Sequence, residues 1–452
     1  MCFVKVPAVY GKVARIFDKH GFQCFLVGGA VRDMLLGREI EDYDIATDAL
    51  TDDIVRIFRR VVPTGVEHGT VTVLFGGTQF EVTTFRIDGT YSDGRRPDSV
   101  AFTPSIYEDL RRRDFTINAI AYDLVNAKLL DPHHGISDLR SGIIRAINNP
   151  EERFREDGLR PMRACRFAAQ FGFTIEAHTK TSIPKSLATV ARVSVERVRD
   201  EIVRMLQAGE PSRGLRLLEE TGLLALFVPE LHDCAAIHQP DMVSADLFSH
   251  LLAVCERMPK QRLVLRLAAL FHDISGCGLA VEAGRQTSAR IARSVCRRLK
   301  FPNKIIHDVA HLITHQIPGA VGDWTETQSR LFIARCGPSA AKDILSLRVA
   351  REAGMIEPEI TSEALAALSS SIDTILARRD PLTIEELEVN GKDVMQHVGL
   401  APSPQVGLVL KNLLERVLRD PTLNRRAVLL GLAQQIQSET RPAAGDQRPC
   451  NA

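Results

Sequence analysis

The sequence has no long apolar run and no leader-like beginning. None of its 452 residues belongs to an uninterrupted apolar stretch of about 18 residues, the length that a membrane span needs. Met1 to Gly21 carries basic side chains along its length, among them Lys5, Lys12 and Lys19, unlike a secretory leader. We therefore expect a cytoplasmic protein that has no membrane partner.

Paired cysteines and an excess of charge are also missing. The nine cysteines are scattered singly without a C-x-x-C, and their odd number argues against a disulfide framework or a thiolate zinc site. The net charge is +1, so no overall basicity indicates a nucleic acid, and any polyanion must bind a local patch. The length favours about three domains.

The stretch from Phe25 to Ala46 combines two halves of a phosphate-handling site. Phe25 to Val27 predicts a short buried strand, Gly28-Gly29 a tight turn, and Ala30 to Leu36 a helix whose first amides point at that turn. Glycines in front of a helix start allow anionic oxygens to approach those amides. The pattern therefore predicts a binding site for phosphate oxygens.

Asp42 and Asp44 are the candidate catalytic acids and metal ligands. From Ile40 to Ala46 the residues alternate, so on a strand both carboxylates project from one face. A Gly-Gly pair alone is usually only a turn, and Asp-x-Asp alone is more often a solvated loop. Together they match metal-dependent nucleotidyl transfer, because Mg²⁺ takes oxygen ligands, typically one or two carboxylates plus substrate phosphates.

The rest of the amino-terminal region alternates helix and strand. Its predicted elements are helices over 8–22 and 52–61 and a hairpin of strands 71–75 and 79–85 joined across Gly76-Gly77. Glu81 lies in the second hairpin strand. It either faces solvent or serves as a third catalytic acid, which holds metal or accepts the proton of the attacking hydroxyl.

A mobile surface loop is predicted over 87–99, because this segment has low hydrophobicity and several turn formers. Leu110 to Ala121 then predicts a basic cluster that runs into an apolar helix. Arg113 is the candidate nucleotide contact within it, since a forked donor beside Asp114 suits a phosphate or a sugar. Residues 129–132 predict a strand and turn that close the domain.

From Pro150 strand patterns nearly vanish, which predicts an α+β head followed by a long helical body. Asp157, Arg160, Arg163 and Arg166 recur every three residues and form a stripe on a helix that we expect to start near Asp157. In an ordinary helix such a stripe is only a set of surface ion pairs. Here the opposite side of the helix is apolar. We therefore expect that side to pack against the core and the arginines to face a binding site.

Several ordered motifs run from Phe25 to about Arg204. They are LVGGAVRD, EDYDIAT, FEVTTFR, YSDGRRPDSVAF, LRRRDFTINAIAYD, DPHHGISDLRSGIIRAI, REDGLRPMRACRFAAQFGF and VSVERVRDEIVRML. In this series the sequence resembles the bacterial-type (class II) tRNA nucleotidyltransferases, the CCA-adding enzymes, and the related poly(A) polymerases. The resemblance implies a polymerase β-like nucleotidyltransferase head with a small mixed sheet, followed by an elongated all-helical neck, body and tail.

The resemblance also implies roles for single residues. Asp42 and Asp44 would hold two Mg²⁺ ions, one lowering the pKa of the RNA 3′-hydroxyl and the other neutralising the leaving pyrophosphate. The implied nucleotide-binding residues are Gly28, Gly29, Arg32, Arg113, Asp157, Arg160, Arg163 and Arg166.

Asp157 and Arg160 would read the base. Cytosine and adenine both place an amino donor beside a ring-nitrogen acceptor, which suits a carboxylate and a guanidinium, whereas guanine and uracil present an oxygen in place of the amino group. An unpaired buried carboxylate is unfavourable, so the wrong bases are rejected. One protein surface could then select C and A without a template.

The segments DLFSHLLAV and LRLAALFHDIS resemble the start of an HD-type phosphohydrolase domain, with His250, His272 and Asp273 in motif positions. That family continues with Gly-Lys and a further metal-binding histidine. Here Ser275-Gly276 follows, and GRQTSARIARS lacks the histidine. We expect the pair to be structural rather than hydrolytic in this degenerate HD-like region, and leave metal binding open.

The candidate RNA contacts are Arg290, Arg293, Arg297 and Lys300. No acid occurs from Arg285 to Lys304, so this basic face is either merely solvated or a contact for the phosphate backbone. Near the end, the segment with Gly391-Lys392-Asp393 resembles the tail of CCA-adding enzymes, and Asp393 is predicted near the amino end of a helix.

The predicted domains are a catalytic head (1–148), a helical neck for base recognition and RNA binding (149–225), a tRNA-binding body and tail (226–437) and a disordered end (438–452). The leading hypothesis is template-independent addition or repair of the 3′-terminal CCA of tRNA from CTP and ATP with Mg²⁺. A poly(A) polymerase, a partial CC-adding or A-adding enzyme, and an RNA-binding protein with a vestigial head are the alternatives.

Overall fold

The computed structural model describes residues 6–40, 43–89, 100–238, 243–244, 246–276, 281–317, 324–356 and 361–440. The chain folds into two compact units. The first comprises Met1–Asp233, Lys260–Leu263 and Val295–Phe301, and the second Cys234–Pro259, Val264–Ser294 and Pro302–Ala452.

All strands among the residues that the structure describes lie in the first unit. They are β1 Phe25–Val27, β2 Ile45–Thr47, β3 Val61–Gly65, β4 Thr70–Phe75, β5 Thr78–Thr84, β6 Arg86–Asp88, β7 Val100–Phe102, β8 Ala121–Asp123, β9 Lys128–Leu130, β10 Ile143–Ile144 and β11 Thr174–Ile175. Seven of them form one sheet in the order β3-β4-β5-β2-β1-β8-β9. Only β2 and β5 run parallel in it, so the sheet is mixed.

Helices dominate the chain after β10. In chain order the helices are α1 Ala8–Lys19, α2 Gly29–Leu36, α3 Thr51–Ile57, α4 Ile106–Arg111, α5 Gly135–Ser141, α6 Pro150–Glu156, α7 Arg160–Phe171, α8 Ala177–Ser182, α9 Leu187–Val190, α10 Val195–Leu206, α11 Pro211–Glu220, α12 Leu223–Phe227, α13 Pro229–Asp233, α14 Leu247–Arg257, α15 Leu263–Phe271, α16 Val281–Arg298, α17 Asn303–Thr314, α18 Glu326–Cys336, α19 Pro338–Glu352, α20 Ser362–Arg378, α21 Gly391–Val398, α22 Pro404–Arg419 and α23 Arg426–Thr440. The predicted α+β head with a small mixed sheet and a helical body is confirmed.

The strand β1 lies inside the sheet, between β2 and β8, and its three side chains are buried. Phe25 and Val27 pack in one apolar cluster with Phe85, Leu110 and Ile147. Burying each such side chain contributes about 1.5–3 kcal/mol. The strand ends at Val27, so the position of Gly28, the next residue, is fixed by the packing of β1.

Several predicted elements are confirmed. The hairpin joins β4 to β5, and Gly76 and Gly77 adopt the positive φ values of 61° and 80° that a tight two-residue turn needs. Asn390 caps α21 through a capping box with Asp393, so this acid does lie in the first turn. Among the residues that the structure describes, no helix combines the length and apolarity that crossing a membrane requires.

Three predicted elements are wrong in extent. The helix expected over 52–61 ends at Ile57, and the β-branched pair that follows starts β3, which pairs with β4. The strand expected from Ile40 begins only at Ile45. Ile87 and Asp88 form β6 against β7 rather than a loop, while 90–99 lie outside the described residues.

The apolar helix expected over Leu110 to Ala121 is also wrong. The helix α4 ends at Arg111, and only a 3₁₀ turn, Thr116–Asn118, precedes β8. Backbone groups here are bound elsewhere, since the Thr116 amide donates to the Arg145 carbonyl (2.9 Å) and the Phe115 amide to the Asp114 carboxylate (2.8 Å). These bonds replace those of a helix.

Candidate active site

A cavity of about 480 Å³ in the first unit brings the predicted nucleotide-binding residues together. Its lining consists of Gly28, Gly29, Arg32, Asp44, Arg86, Arg112, Arg113, Asp114, Asn118, Asp157, Arg160, Arg163, Arg166, Phe167, Gln170 and Arg197. Eight arginines face three aspartates, so the cavity suits a ligand with several negative charges.

Gly28 forms the entrance from β1 into α2. Its φ of 67° lies in the left-handed region, and a Cβ at this position would lie 2.9 Å from Nη1 of Arg113. The helix α2 begins at the next residue, Gly29, one residue earlier than predicted. A helix start, a bare backbone and a neighbouring guanidinium are a suitable site for phosphate oxygens.

Arg32 is buried and rigidly held on α2. Its Nη1 donates to Oδ1 of Asn118 (2.7 Å), and its Nε and Nη2 donate to the carboxylate of Asp33 (3.0 and 2.8 Å). The guanidinium also lies 4.7 Å from the ring centroid of Phe171 and 5.3 Å from that of Phe167. These contacts orient its charge toward the cavity that it lines.

Asp44 lies on the cavity wall immediately before β2. Its carbonyl accepts a hydrogen bond from the Val27 amide (3.1 Å), which ties it to the central strand. The residue after Asp44, Ile45, pairs in parallel register with Val82, the residue after Glu81. Glu81 is exposed and does not line the cavity.

Asp42 lies outside the described residues, so its position on the same face as Asp44 stays a prediction. Tyr43, between the two acids, stacks on Tyr10 of α1 with ring centroids 4.6 Å apart. Tyr10 in turn contacts the Phe80 ring at 4.8 Å. The helix α1 thus holds Tyr43, the residue before Asp44, next to the sheet.

The donor set fits a hard divalent metal ion. Asp44 offers hard carboxylate oxygens on the wall of a cavity whose other charges are guanidinium groups. Asp44 would be a ligand of that ion, and the ion would supply positive charge that offsets the charge of bound phosphates.

Arg113, the predicted nucleotide contact, is held by the carboxylate of Asp109. Its Nη2 donates to Oδ2 of Asp109 (3.0 Å), one turn earlier, rather than to Asp114. Burial alone would raise the pKa of Asp109, but Arg113 and Arg112 outweigh it and hold that pKa below its usual value. The buried Nε of Arg113 has no hydrogen-bond partner among the described residues.

Asp114 instead joins α7 to the 3₁₀ turn. Its carboxylate accepts from Nε (2.7 Å) of Arg163 and from Nδ2 (2.9 Å) of Asn118. Burial would raise the pKa of Asp114, yet the Arg163 charge and these hydrogen bonds hold it well below its usual range. Asp114 therefore stays ionised and fixes Arg163 at the cavity.

Asp157 lies in a break between two helices, not at the start of one. The helix α6 ends at Glu156 and α7 begins at Arg160, so the stripe on α7 starts three residues later than predicted. Gly158 makes the break possible, because a Cβ there would lie 2.8 Å from the Thr189 carbonyl oxygen.

The Asp157 carboxylate is held at two points. Its Oδ1 accepts from the Leu159 amide (3.0 Å), and Nη2 of Arg197 donates to both carboxylate oxygens (3.2 and 3.1 Å). Sequence reasoning missed Arg197, which comes from α10. The buried Nη1 of Arg197 has no hydrogen-bond partner within the part of the chain that is described.

Arg160 is fixed by three protein oxygens. Nη1 donates to the Arg153 carbonyl (3.0 Å) and to Glu156 (2.7 Å), and Nη2 donates to the Arg112 carbonyl (2.9 Å). Three of the five N–H donors of a guanidinium are thereby used. The plane of the group is set, and donor capacity is left for a ligand.

Arg166 is braced by a second residue of α10 that sequence reasoning missed. Its Nε donates to Glu201 (2.5 Å), and its guanidinium lies 3.9 Å from the centroid of Phe167. Burial lowers the pKa of Arg166 to about 10, against the opposing effect of Glu201, so it is charged at neutral pH. Arg197 and Glu201 are four residues apart, a spacing that places both on one face of α10.

The candidate RNA contacts are exposed. Arg290 and Arg293 belong to the second unit, and Arg297 and Lys300 to the first. Within the first unit, Lys300 already pairs with Glu196 (2.6 Å).

The fold and the cavity define the class of protein. The family model described as the Poly A polymerase head domain matches residues 24–145, which include the sheet and the glycine turn. Two further models match residues 172–234, "Probable RNA and SrmB- binding site of polymerase A", and 285–433, tRNA nucleotidyltransferase domain 2. The protein is a nucleotidyltransferase.

Relatives and solved structures narrow this class. The CCA-adding enzyme of Levilactobacillus brevis is 34% identical over 92% of this chain and 95% of that enzyme. That of Geobacillus stearothermophilus is 39% identical over 86% of this chain and 87% of that enzyme. The crystal structure of the Bacillus stearothermophilus CCA-adding enzyme in complex with CTP is 31% identical, with a TM-score of 0.72 over 96% of this chain and 99% of that chain. The chain belongs to the CCA-adding enzyme family.

Proposed function

We propose that this enzyme adds or repairs the 3′-terminal CCA of tRNA, using CTP and ATP and releasing pyrophosphate. The observation that carries the proposal is the arginine-lined cavity whose wall includes Asp44, the glycine turn, Asp157 and Arg160. Asp44, the glycine turn and the arginines are groups that reacting phosphates need, and Asp157 with Arg160 matches the amino edge of C and A.

The triphosphate binds at the glycine turn. The amides at the start of α2 and the guanidinium groups of Arg32 and Arg113 attract its oxygens. The buried Nε of Arg113, which lacks a partner among the described residues, is one donor for them. This holds the α-phosphate near Asp44.

Asp44, together with Asp42, would hold Mg²⁺, which when bound neutralises phosphate charge and acidifies the 3′-hydroxyl of the RNA. Glu81, which immediately precedes the β5 partner of Ile45, either supports this acidic group or accepts a proton. The arginines of the cavity stabilise the charge that moves to the leaving pyrophosphate.

Base choice follows from the fixed pair of Asp157 and Arg160. Asp157 accepts from the amino group of C or A while Arg160 donates to the ring nitrogen. Because Arg197 and the Leu159 amide hold the carboxylate still, it cannot turn away from the oxygen of a wrong base. Arg163 and Arg166 line the same cavity and add positive charge that attracts the nucleotide.

Residues 149–225 are proposed as the part that carries base recognition, and the remaining helical body as the part that binds tRNA. Arg290, Arg293, Arg297 and Lys300 are the proposed contacts with the RNA backbone. A cytoplasmic location, where tRNA is matured, fits this role.

The experiment that tests the function starts from a tRNA that ends at its discriminator base. The purified chain receives each nucleotide singly and in pairs with Mg²⁺, and the products are sequenced. We expect two C residues from CTP alone and a complete CCA from CTP with ATP. A long A tail, CC alone with both nucleotides present, or no extension would contradict CCA addition, and the first two would favour the poly(A) or partial-enzyme alternatives.

A further inference from the structure

One aromatic ring, that of Phe167, lies among three of the arginines that line the cavity. The Cζ atoms of Arg166, Arg32 and Arg163 lie 3.9, 5.3 and 5.3 Å from the centroid of this ring. All three distances are within the range of about 6 Å over which a ring face attracts a guanidinium group. Arg32 comes from α2, whereas the other two arginines share α7 with Phe167. The ring therefore contacts guanidinium groups from two helices.

Each of these arginines also has a carboxylate partner. The pairs are Arg32 with Asp33, Arg163 with Asp114, and Arg166 with Glu201. These ion pairs use N–H groups at the edge of each guanidinium, which has more donors than the pair occupies. An ion pair also cancels charge that a triphosphate would otherwise meet, whereas a neutral ring attracts a guanidinium without cancelling its charge. The ring can therefore hold the arginines in place while their remaining donors stay available to a ligand.

The Phe167 ring is itself held by two other rings. Phe167 is buried, and its ring stacks on that of Phe171 with centroids 5.6 Å apart and planes inclined by 10°. The ring of Phe115 meets it at 89° with centroids 5.8 Å apart. Both arrangements are among those that aromatic pairs prefer. A ring fixed in this way presents a constant surface to the guanidinium groups.

We propose that Phe167 is a positioning residue for nucleotide binding, because its electron-rich face holds three guanidinium groups at the cavity wall. Like charges gathered in one place repel one another, and the negative face of the ring offsets part of that repulsion before a triphosphate binds. Without this attraction the guanidinium groups spread apart in the free enzyme, and a nucleotide loses affinity because it must order them again. The proposal rests on the proposed function, in which the nucleotide binds in this cavity.

This role affects nucleotide affinity more than base choice or turnover. The ring acts on the arginines that attract the phosphates, and the proposed base readers Asp157 and Arg160 are held by other groups. CTP and ATP should therefore lose affinity to the same extent when the ring attracts cations less strongly. An interaction present in both the ground state and the transition state changes KM and leaves kcat nearly unchanged.

The test changes the charge distribution of the ring while nearly keeping its volume. In the full chain, Phe167 is replaced by mono-, di- and trifluorophenylalanine, because each fluorine withdraws electrons from the ring face and weakens its attraction for cations. The dissociation constant of CTP with Mg²⁺, measured by calorimetry without tRNA, should rise at each step and reach about tenfold with the trifluoro ring. ATP should show the same steps. In tRNA extension KM should rise in parallel, with kcat within about twofold of the wild type.

Phe154 on α6 is the matched control, because it is fully buried and no guanidinium among the described residues lies over its ring. The same fluorinated residues at this position should leave CTP affinity unchanged. Phe167→Leu, which removes the ring, should weaken CTP binding at least as much as the trifluoro ring, and the fluorinated series carries the test if circular dichroism shows that this variant does not fold. Constant affinity through the series, equal losses at both positions, or a fall in kcat at unchanged KM would overturn the proposal. Failure of CCA addition itself is measured separately, with the wild-type chain on a tRNA lacking CCA.

Discussion

The residues that contact the cavity are held by residues that lie behind them. Asp157 owes its orientation to Arg197, and Arg166 to Glu201, although these partners are 40 and 35 positions away in the sequence. A base-reading carboxylate discriminates only if it cannot turn away from a wrong base. The selectivity of the pocket therefore depends on α10 as well as α7.

Arg197→Met should reduce discrimination against UTP and GTP. With one anchor left, the Asp157 carboxylate can rotate away from the oxygen of a wrong base, so the selectivity ratio should fall by about tenfold, or ~1.4 kcal/mol. The measurement is kcat/KM for each nucleotide on a tRNA lacking CCA.

Arg199→Met serves as the control, since Arg199 lies on the same helix and binds Asp200 (3.0 Å) and the Lys300 carbonyl (2.7 Å) outside the cavity. Its selectivity should match the wild type. Unchanged selectivity in Arg197→Met would show that Asp157 is held without Arg197.

At the scale of elements, an ion pair links α7 to the 3₁₀ turn. The Asp114 side chain is 9% exposed and that of Arg163 30%. Removing one partner of a buried pair leaves the other charge uncompensated, so Asp114→Asn should destabilise the protein by about 3 kcal/mol. The thermal midpoint should fall accordingly.

The pH dependence of that loss follows from the lowered pKa of Asp114. A carboxyl whose folded-state pKa is depressed stabilises the fold above its unfolded pKa of 3.8, and this contribution fades as pH falls toward the folded-state value. The gap in thermal midpoint between wild type and Asp114→Asn should be constant from about pH 8 to about pH 5 and narrow below about pH 4. Asp52→Asn, an exposed change on α3, should produce no gap. A gap that closes at neutral pH would contradict the assignment.

Elements set by local pattern were predictable from the sequence. The strand β1, the hairpin across Gly76-Gly77 and the helical character after Pro150 follow from hydrophobic alternation, turn residues and helical period. Contacts made at a distance were not: the Thr116 amide bonds to Arg145, which ends the helix predicted there.

The residues that line the site were predictable from the sequence. The hydrogen bonds and ion pairs that hold them were not. Gly28, Arg32, Asp157 and Arg160 all reach the cavity, as their motifs indicate. The break between α6 and α7 was not predicted, because the three-residue spacing from Asp157 to Arg160 resembles that of one continuous helix. The ion pair of Arg113 with Asp109, four residues earlier, was not predicted, because only the neighbouring carboxylate of Asp114 was considered.

For the whole molecule, a neutral chain that binds a polyanion needs local positive charge. Reversing two exposed charges on α16, Arg290→Glu with Arg293→Glu, should weaken tRNA binding and reduce the slope of log affinity against log salt by about 0.7–0.9 per lost phosphate contact. Filter binding over a range of salt concentrations measures both.

The matched control is Lys411→Glu with Arg419→Glu on α22, which changes the net charge equally at two exposed positions. If both double variants weaken binding to the same extent, overall charge and not the α16 face governs association.

The central claim is that the cavity bearing Asp44 is where nucleotides are transferred, and Asp44→Ala tests it most directly. Incorporation of CMP into a tRNA lacking CCA should fall by about a thousandfold or more with Mg²⁺, because the metal loses a ligand. CTP binding and circular dichroism should stay close to wild type, and Asp52→Ala on α3 should incorporate normally. Wild-type incorporation by folded Asp44→Ala would contradict the account.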